Sequence, residues 1–166
     1  MSMPSRQAYE LALGTLKWLT AHADIGIQFN DRRTTAIPDH SFGAHDLHAF
    51  YDSGHDQFND GRAQHGNVLM LANGPVSWES RKHDVIGDST MYNEYMAGYH
   101  AVRRVKEARN LLTEIGGAFA DFIIQPTPIF GDNAAATTIS RGNRPARHIE
   151  LKYHYTRERV RAGDCI

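Results

Sequence analysis

The sequence predicts an α/β fold in which a mixed sheet, an antiparallel hairpin plus parallel strands, is flanked by helices. Three observations support this class. Short apolar runs bounded by turn residues stand at 47–52, 68–72 and 76–80. A long stretch of helical periodicity follows at 90–115, and a further apolar run stands at 128–131. A strand–helix–strand step of this kind implies a right-handed parallel crossover.

The first 46 residues are predicted to be separate from this domain. Residues 5–22 have the spacing of an amphipathic helix, with Pro4 and Ser5 as start signals. The alternation over 25–29 predicts a short strand, whereas 30–46 is polar and without periodicity. We therefore interpret 1–46 as a helix with a connection and 47–166 as the compact domain.

Within the compact domain, the turn of the hairpin is predicted at Asn73, Gly74 and Pro75. Gly116 and Gly117 are expected to end the long helix. Residues 133–139 predict a short helix, 140–145 a loop and 147–161 a final helix. We expect Trp78 and the long helix's tyrosines in the core. Its basic residues are expected to face solvent: Arg103, Arg104, Lys106 and Arg109.

Composition excludes several classes of protein. The chain has 166 residues, of which 22% are charged and 41% hydrophobic, values typical of a globular protein. A net charge of −1 means that any binding to nucleic acid depends on local basic patches. The single cysteine excludes a disulfide framework within this chain, and no apolar run is long enough to cross a bilayer. We expect a reducing compartment and no secretion.

Four acidic residues stand at the ends of predicted elements. Asp52 and Asp132 close strands, and Glu94 and Glu150 stand near the starts of helices. The carboxyl ends of parallel strands are where open α/β sheets place ligands. Carboxylates that converge there repel unless cations neutralise them, and Mg²⁺ prefers oxygen ligands. Spacing alone is also compatible with solvated acids and with acids placed favourably at helix N-termini.

Six short segments stand around these acids: YDSGH (51–55), DGRAQHG (60–66), PVSWESRK (75–82), NEYMA (93–97), GDNAAA (131–136) and RHIELKYHYTRE (147–158). In this order they resemble the ribonuclease H region of copia-type long-terminal-repeat retrotransposon polyproteins. The N-terminal helix, which contains Leu16, Lys17, Trp18 and Leu19, is similar to the segment that closes the reverse transcriptase connection in that family.

The resemblance implies a ribonuclease H-like fold and a metal-dependent endonuclease that cleaves the RNA strand of RNA–DNA hybrids. Two ions, Mg²⁺ or Mn²⁺, would activate the attacking water and stabilise the departing 3′ oxygen. The implied metal ligands are Asp52, Glu94, Asp132 and Glu150, and the implied nucleic-acid contacts are Asn133, Arg147, His148 and Lys152.

The resemblance also implies a biological setting. Residues 1–46 would be a remnant of the reverse transcriptase connection, and the reverse transcriptase portion of the same polyprotein would be a partner. The expected location is cytoplasmic, including virus-like particles, with no membrane partner.

Two alternatives stay open at this point. The family's second aspartate is replaced by Gly54, the Ser89-Thr90 pair is out of register by one residue, and the last acid is Glu150 where the family has aspartate. These departures favour a catalytically degenerate remnant that acts as a nucleic-acid-binding or structural module. Another polynucleotide transferase, such as an integrase, shares the fold and acids but is disfavoured by the 148–154 segment and the upstream helix.

Overall fold

The computed structural model describes residues 5–29, 47–54, 62–84, 86–87, 89–132 and 151–166, the last with side chains from Tyr155 onward. The predicted connection at 30–46, the short helix at 133–139 and the loop at 140–145 lie outside these residues. No helix in the described ranges is both long enough and apolar enough to span a membrane.

The N-terminal helix is confirmed as α1, Arg6–Ala21, and Ser5 caps it by accepting a hydrogen bond from the Ala8 N–H at 3.2 Å. No residue of α1 is buried. The predicted strand at 25–29 is wrong. Ile25, Ile27 and Phe29 are exposed, and no described strand pairs with them. An alternating sequence forms a strand only where a neighbouring strand accepts and donates its backbone hydrogen bonds.

The hairpin is confirmed and belongs to a three-stranded antiparallel unit of β1 (His48–Gly54), β2 (Gln64–Leu71) and β3 (Gly74–Lys82). Its turn lies one residue earlier than predicted, at Ala72 and Asn73, whose φ angles are 50° and 60°. Positive φ at both positions matches the twist of a two-residue hairpin. Pro75, which lacks an N–H, is tolerated because β3 is an edge strand.

The long helix is confirmed as α2, Thr90–Ile115. Ser89 begins it by accepting a hydrogen bond from the Tyr92 N–H at 3.1 Å, and Gly116, with φ 66°, ends it. The helix packs on β1 and β2. The core between them and the C-terminal residues contains Leu47, Ala49, Leu69, Val102, Val105, Leu112 and Cys165.

A 3₁₀ segment, Gly117–Ile123, follows α2 and was not predicted. Arg109 binds the end of this segment and the residues after it, donating to the Ile123 carbonyl at 2.8 Å, the Gln125 carbonyl at 2.9 Å and the Thr127 hydroxyl at 3.0 Å. Its side chain is only 13% exposed. The expectation of a solvent-facing Arg109 is therefore wrong, because the folded-back chain offers carbonyl acceptors that sequence periodicity does not reveal.

The fourth strand, β4 (Ile129–Phe130), pairs in parallel with β1, as the crossover prediction requires. The sheet order is β3-β2-β1-β4, so the predicted mixed sheet is confirmed. The final helix, α3 (Leu151–Arg161), packs against α2. Beyond α3, Cys165 forms a parallel bridge with Thr127.

Trp78 is not a core residue, because its side chain is 63% exposed. Its neighbour Glu79 lies 3.5 Å from Arg104 of α2 and so faces the helix layer. Side chains alternate along a strand, so Trp78 faces away from that layer. The tyrosines of α2 divide: Tyr95 is buried, whereas Tyr92 and Tyr99 are half-buried.

Candidate metal centre

Three of the predicted acids meet at one edge of the sheet. Asp52, Glu94 and Asp132 each offer a carboxylate oxygen, and these oxygens lie within 4.8 Å of one another. Asp52 and Asp132 are exposed, whereas Glu94 is buried. Residues distant along the chain therefore share a single site, as the strand-end argument predicted.

The parallel register explains how the two aspartates come together. Phe50 of β1 pairs with Phe130 of β4, and each aspartate stands two residues further along its chain. Parallel strands end at the same edge of a sheet, so equivalent positions remain neighbours. The Ser53 N–H also donates to Asp52 Oδ1 at 2.8 Å, which orients that carboxylate.

Glu94 reaches the same edge from the second turn of α2. One of its oxygens, Oε2, is buried and has no hydrogen-bond partner. Burial and, to a smaller extent, the negative charges of Asp132 and Asp52 raise the pKa of Glu94 to about 7, against a hydrogen bond from the Ser53 backbone that lowers it. An orphaned carboxylate oxygen beside two other acids is a group that lacks a positive partner.

The donor set fits a hard divalent cation. All three side chains offer oxygen, which Mg²⁺ and similar ions prefer to nitrogen or sulfur. In the part of the chain that the structure describes, no lysine or arginine forms an ion pair with Asp52, Glu94 or Asp132. A bound cation would supply the missing positive charge and a partner for Glu94 Oε2.

The remaining predicted site residues lie outside the described part of the site. Glu150, Asn133, Arg147 and His148 fall in 133–150, and Lys152 lies on α3 without a described side chain. The assignment of Glu150 as a fourth ligand therefore stays a prediction, as do the proposed nucleic-acid contacts.

Two features near the site were not anticipated from sequence. The ring of Tyr51 lies between Gly98 and Gly131, next to the acids. The imidazole of His65 stacks on that of His100, with centroids 4.2 Å apart, and lies tilted against that of His83 at 4.9 Å; all three line a cavity of about 290 Å³. For the Tyr51 contact, the sequence offered only two hints: Gly131 stands next to Asp132, and Gly98 stands one helical turn after Glu94.

The fold and the acid cluster define an α/β protein with a candidate metal centre at the carboxyl edge of its parallel strands. No family model matches the chain. It is 26% identical over 167 aligned residues to a retrovirus-related Pol polyprotein from transposon RE2 of Arabidopsis thaliana, which covers 98% of the chain and 10% of that protein. A corresponding polyprotein from transposon RE1 of the same plant is 25% identical with the same coverage.

A third polyprotein, from transposon TNT 1-94 of Nicotiana tabacum, is 24% identical over 57% of the chain and 7% of its own length. The resemblance predicted from the six segments is confirmed, because the chain is homologous to a segment of copia-type Pol polyproteins. It spans about a tenth of the length of the first two relatives.

Among solved structures, the chain is similar to the N-terminal RNase H domain of a Mycobacterium tuberculosis protein, determined as a fusion with maltose-binding protein. The TM-score is 0.48 at 14% identity, over 73% of this chain and 76% of that one.

Proposed function

We propose that the chain is a ribonuclease H-type endonuclease that cleaves the RNA strand of RNA–DNA hybrids during retrotransposon reverse transcription. The observation that carries this proposal is the convergence of Asp52, Glu94 and Asp132 within 4.8 Å. Homology to Pol polyproteins supports the biological setting.

Each acid has a distinct part in the proposed site. Asp52 and Asp132, exposed at the sheet edge, hold the cations where substrate reaches them, and Glu94 closes the site from the helix side. Two Mg²⁺ or Mn²⁺ ions, when bound, supply activation of water and stabilisation of the leaving oxygen. Glu150 is the proposed fourth ligand. Glu94 must be ionised to act as a ligand, and a nearby cation favours that ionised form.

The hybrid itself is proposed to contact the basic residues near the C-terminus. Arg147, His148 and Lys152, with Asn133, would bind phosphates and sugars, and such contacts position a duplex without reading its sequence. The proposed partner is the reverse transcriptase portion of the polyprotein, to which 1–46 would connect. The proposed location is the cytoplasm, including virus-like particles.

A gel assay tests the proposal. The substrates are a 5′-labelled RNA paired with DNA, the same RNA alone and the same sequence as duplex DNA, each with Mg²⁺ or Mn²⁺. We expect the protein to cleave the RNA only when it is paired with DNA. The Asp52→Asn and Asp132→Asn variants should not cleave it. Asp121→Asn changes an exposed acid of the 3₁₀ segment and should cleave as the wild type does. Cleavage that survives the first two substitutions contradicts the proposal.

The second candidate is a degenerate module that binds nucleic acid without cleaving it. Gly54, at the position of the family's second aspartate, leaves one acid fewer on β1. Calorimetric titration with Mg²⁺ or Mn²⁺ separates the two functions. Heat that depends on Asp52 and Asp132 supports the nuclease, whereas hybrid binding with no carboxylate-dependent metal binding supports the degenerate module.

A further inference from the structure

The end of the Tyr51 ring lies between two glycines from different elements. A Cβ built on Gly131 would overlap Tyr51 Cζ and lie 2.6 Å from its Oη and 2.7 Å from Cε1. A Cβ built on Gly98 would lie 3.2 Å from Cζ and 3.4 Å from Cε2. Cε1 and Cε2 are opposite edges of the ring, so the ring end has a glycine on each side.

Each member of this group is tied to one acid of the metal centre. Tyr51 precedes Asp52 on β1, and Gly131 precedes Asp132 after β4. Gly98 stands four residues after Glu94, which is one helical turn along the same face of α2. The ring therefore comes from the segment that carries Asp52 and lies against the glycines of the segments that carry Glu94 and Asp132.

We propose that Tyr51 is a positioning residue that sets the spacing of the three-acid centre, with Gly98 and Gly131 providing the space for its ring. The ring acts as a spacer between α2 and the chain leading to Asp132. Hard cations such as Mg²⁺ require near-octahedral geometry, so a small change in this spacing alters how well the oxygens converge. This role rests on the proposed function only where hybrid cleavage is measured, because Mn²⁺ affinity is measured independently of cleavage.

The geometry predicts how the spacing responds to added volume. Alanine at position 131 pushes the ring end towards Gly98, where little room exists, or pushes the chain carrying Asp132 away from β1. Removing the end of the ring relieves both conflicts. The loss caused by Gly131→Ala should therefore be reversed in part by Tyr51→Leu, which lacks the Cζ and Oη atoms.

The experiment measures Mn²⁺ affinity by calorimetry, hybrid cleavage and thermal stability for a set of variants of the full chain. The set is Gly131→Ala, Gly98→Ala, Tyr51→Leu, Gly131→Ala with Tyr51→Leu, and Gly66→Ala. Gly66 pairs with Asp52 in the sheet, but a Cβ there meets only the Glu79 carbonyl at 3.8 Å, so it is the matched control.

We expect Gly131→Ala to weaken Mn²⁺ binding by about tenfold or more, the scale typical for residues that support metal ligands. Gly66→Ala should bind Mn²⁺ within about twofold of the wild type. Gly98→Ala should weaken binding with little change in the melting temperature, because the gain of alanine over glycine in a helix interior offsets the cost of the tight contact with the ring. The double variant should bind Mn²⁺ more tightly than Gly131→Ala alone.

The positioning role is overturned if Gly131→Ala binds Mn²⁺ as tightly as the wild type. It is also overturned if the losses of Mn²⁺ affinity in Gly131→Ala and Tyr51→Leu simply add in the double variant. If the wild type binds Mn²⁺ through Asp52 but does not cleave the hybrid, the proposed nuclease fails while the positioning role stands on the affinities. If the wild type cleaves and Gly131→Ala neither slows cleavage nor weakens binding, the nuclease stands and the positioning role fails.

Discussion

Among individual residues, the three acids could be predicted from the sequence, whereas the contacts of Arg109 and Tyr51 could not. Asp52, Glu94 and Asp132 follow recognisable strand ends and a helix start, so their convergence could be inferred from sequence. The role of Arg109 could not be inferred, because its acceptors belong to the end of a 3₁₀ segment and to the bend and bridge residues after it, which carry no periodic signal. The Tyr51 contact depends on the distance between α2 and β4, which no local pattern encodes.

Arg109 is expected to be a major contributor to stability. Arg109→Ala leaves two carbonyls and the Thr127 hydroxyl without this donor, and removes a cation 3.8 Å from Asp164. We expect the free energy of unfolding to fall by about 2–4 kcal/mol, measured by urea denaturation.

The control for this prediction is Arg103→Ala on the same helix. Arg103 is half-exposed and pairs with Glu107 at 3.5 Å, so its loss should cost about 0.5 kcal/mol or less. Equal losses for the two variants would contradict the assignment of Arg109 as a buried clamp.

At the element scale, the long helix was the most predictable part of the fold. Ser89 and Gly116 are start and stop signals that act locally, so both ends of α2 fall where the sequence places them. Strand ends were less accurate, because pairing with a neighbour extends β2 and β3 beyond their apolar runs. Conversely, residues 25–29 do not form a strand because no described strand pairs with them.

The histidine cluster between β2, the end of β3 and α2 predicts a stability that depends on pH. Burial, together with the charges of His100 and His83, lowers the pKa of His65 to about 4. Burial also lowers the pKa values of His83 and His100. Glu79, Arg81 and Asp84 face the cluster from β3 and the residues after it, and Arg103 faces it from α2.

Because the folded-state pKa of His65 lies below its ordinary value of 6.5, the unfolded chain binds the proton more readily. The contribution of neutral His65 to the free energy of unfolding is therefore fully present above pH 6.5. It falls by up to about 3 kcal/mol as the pH decreases towards 4. Denaturation of the wild type and of His65→Leu across this range tests the prediction. The variant should show a smaller pH slope, and identical slopes would refute it.

At the scale of the whole molecule, the sheet order β3-β2-β1-β4 is what brings together acids from three separated segments. The mixed sheet and its parallel crossover were predicted from the strand–helix–strand pattern and from the resemblance to Pol polyproteins, which the comparisons confirm. The strand order itself was not predicted and comes from the structure. The division at residue 46 stays a prediction, because residues 30–46 lie outside the described chain.

The N-terminal helix is expected to contribute little to the stability of the sheet domain. None of the residues of α1 is buried, so deletion of residues 1–22 removes no buried side chain of that helix. We expect the free energy of unfolding to change by less than about 1 kcal/mol, and Mn²⁺ affinity to stay unchanged. Urea denaturation and calorimetry check this, and a large loss in either would show that α1 supports the domain.

The most direct test of the metal centre is anomalous diffraction from a crystal of the protein soaked in Mn²⁺. We expect a Mn²⁺ peak within about 2.0–2.6 Å of carboxylate oxygens from Asp52, Glu94 and Asp132, the range for hard cations. The same soak of Asp52→Asn should show a weaker peak or none. A wild-type crystal whose three carboxylates hold no Mn²⁺, or whose Mn²⁺ lies elsewhere, would contradict a metal centre at Asp52, Glu94 and Asp132.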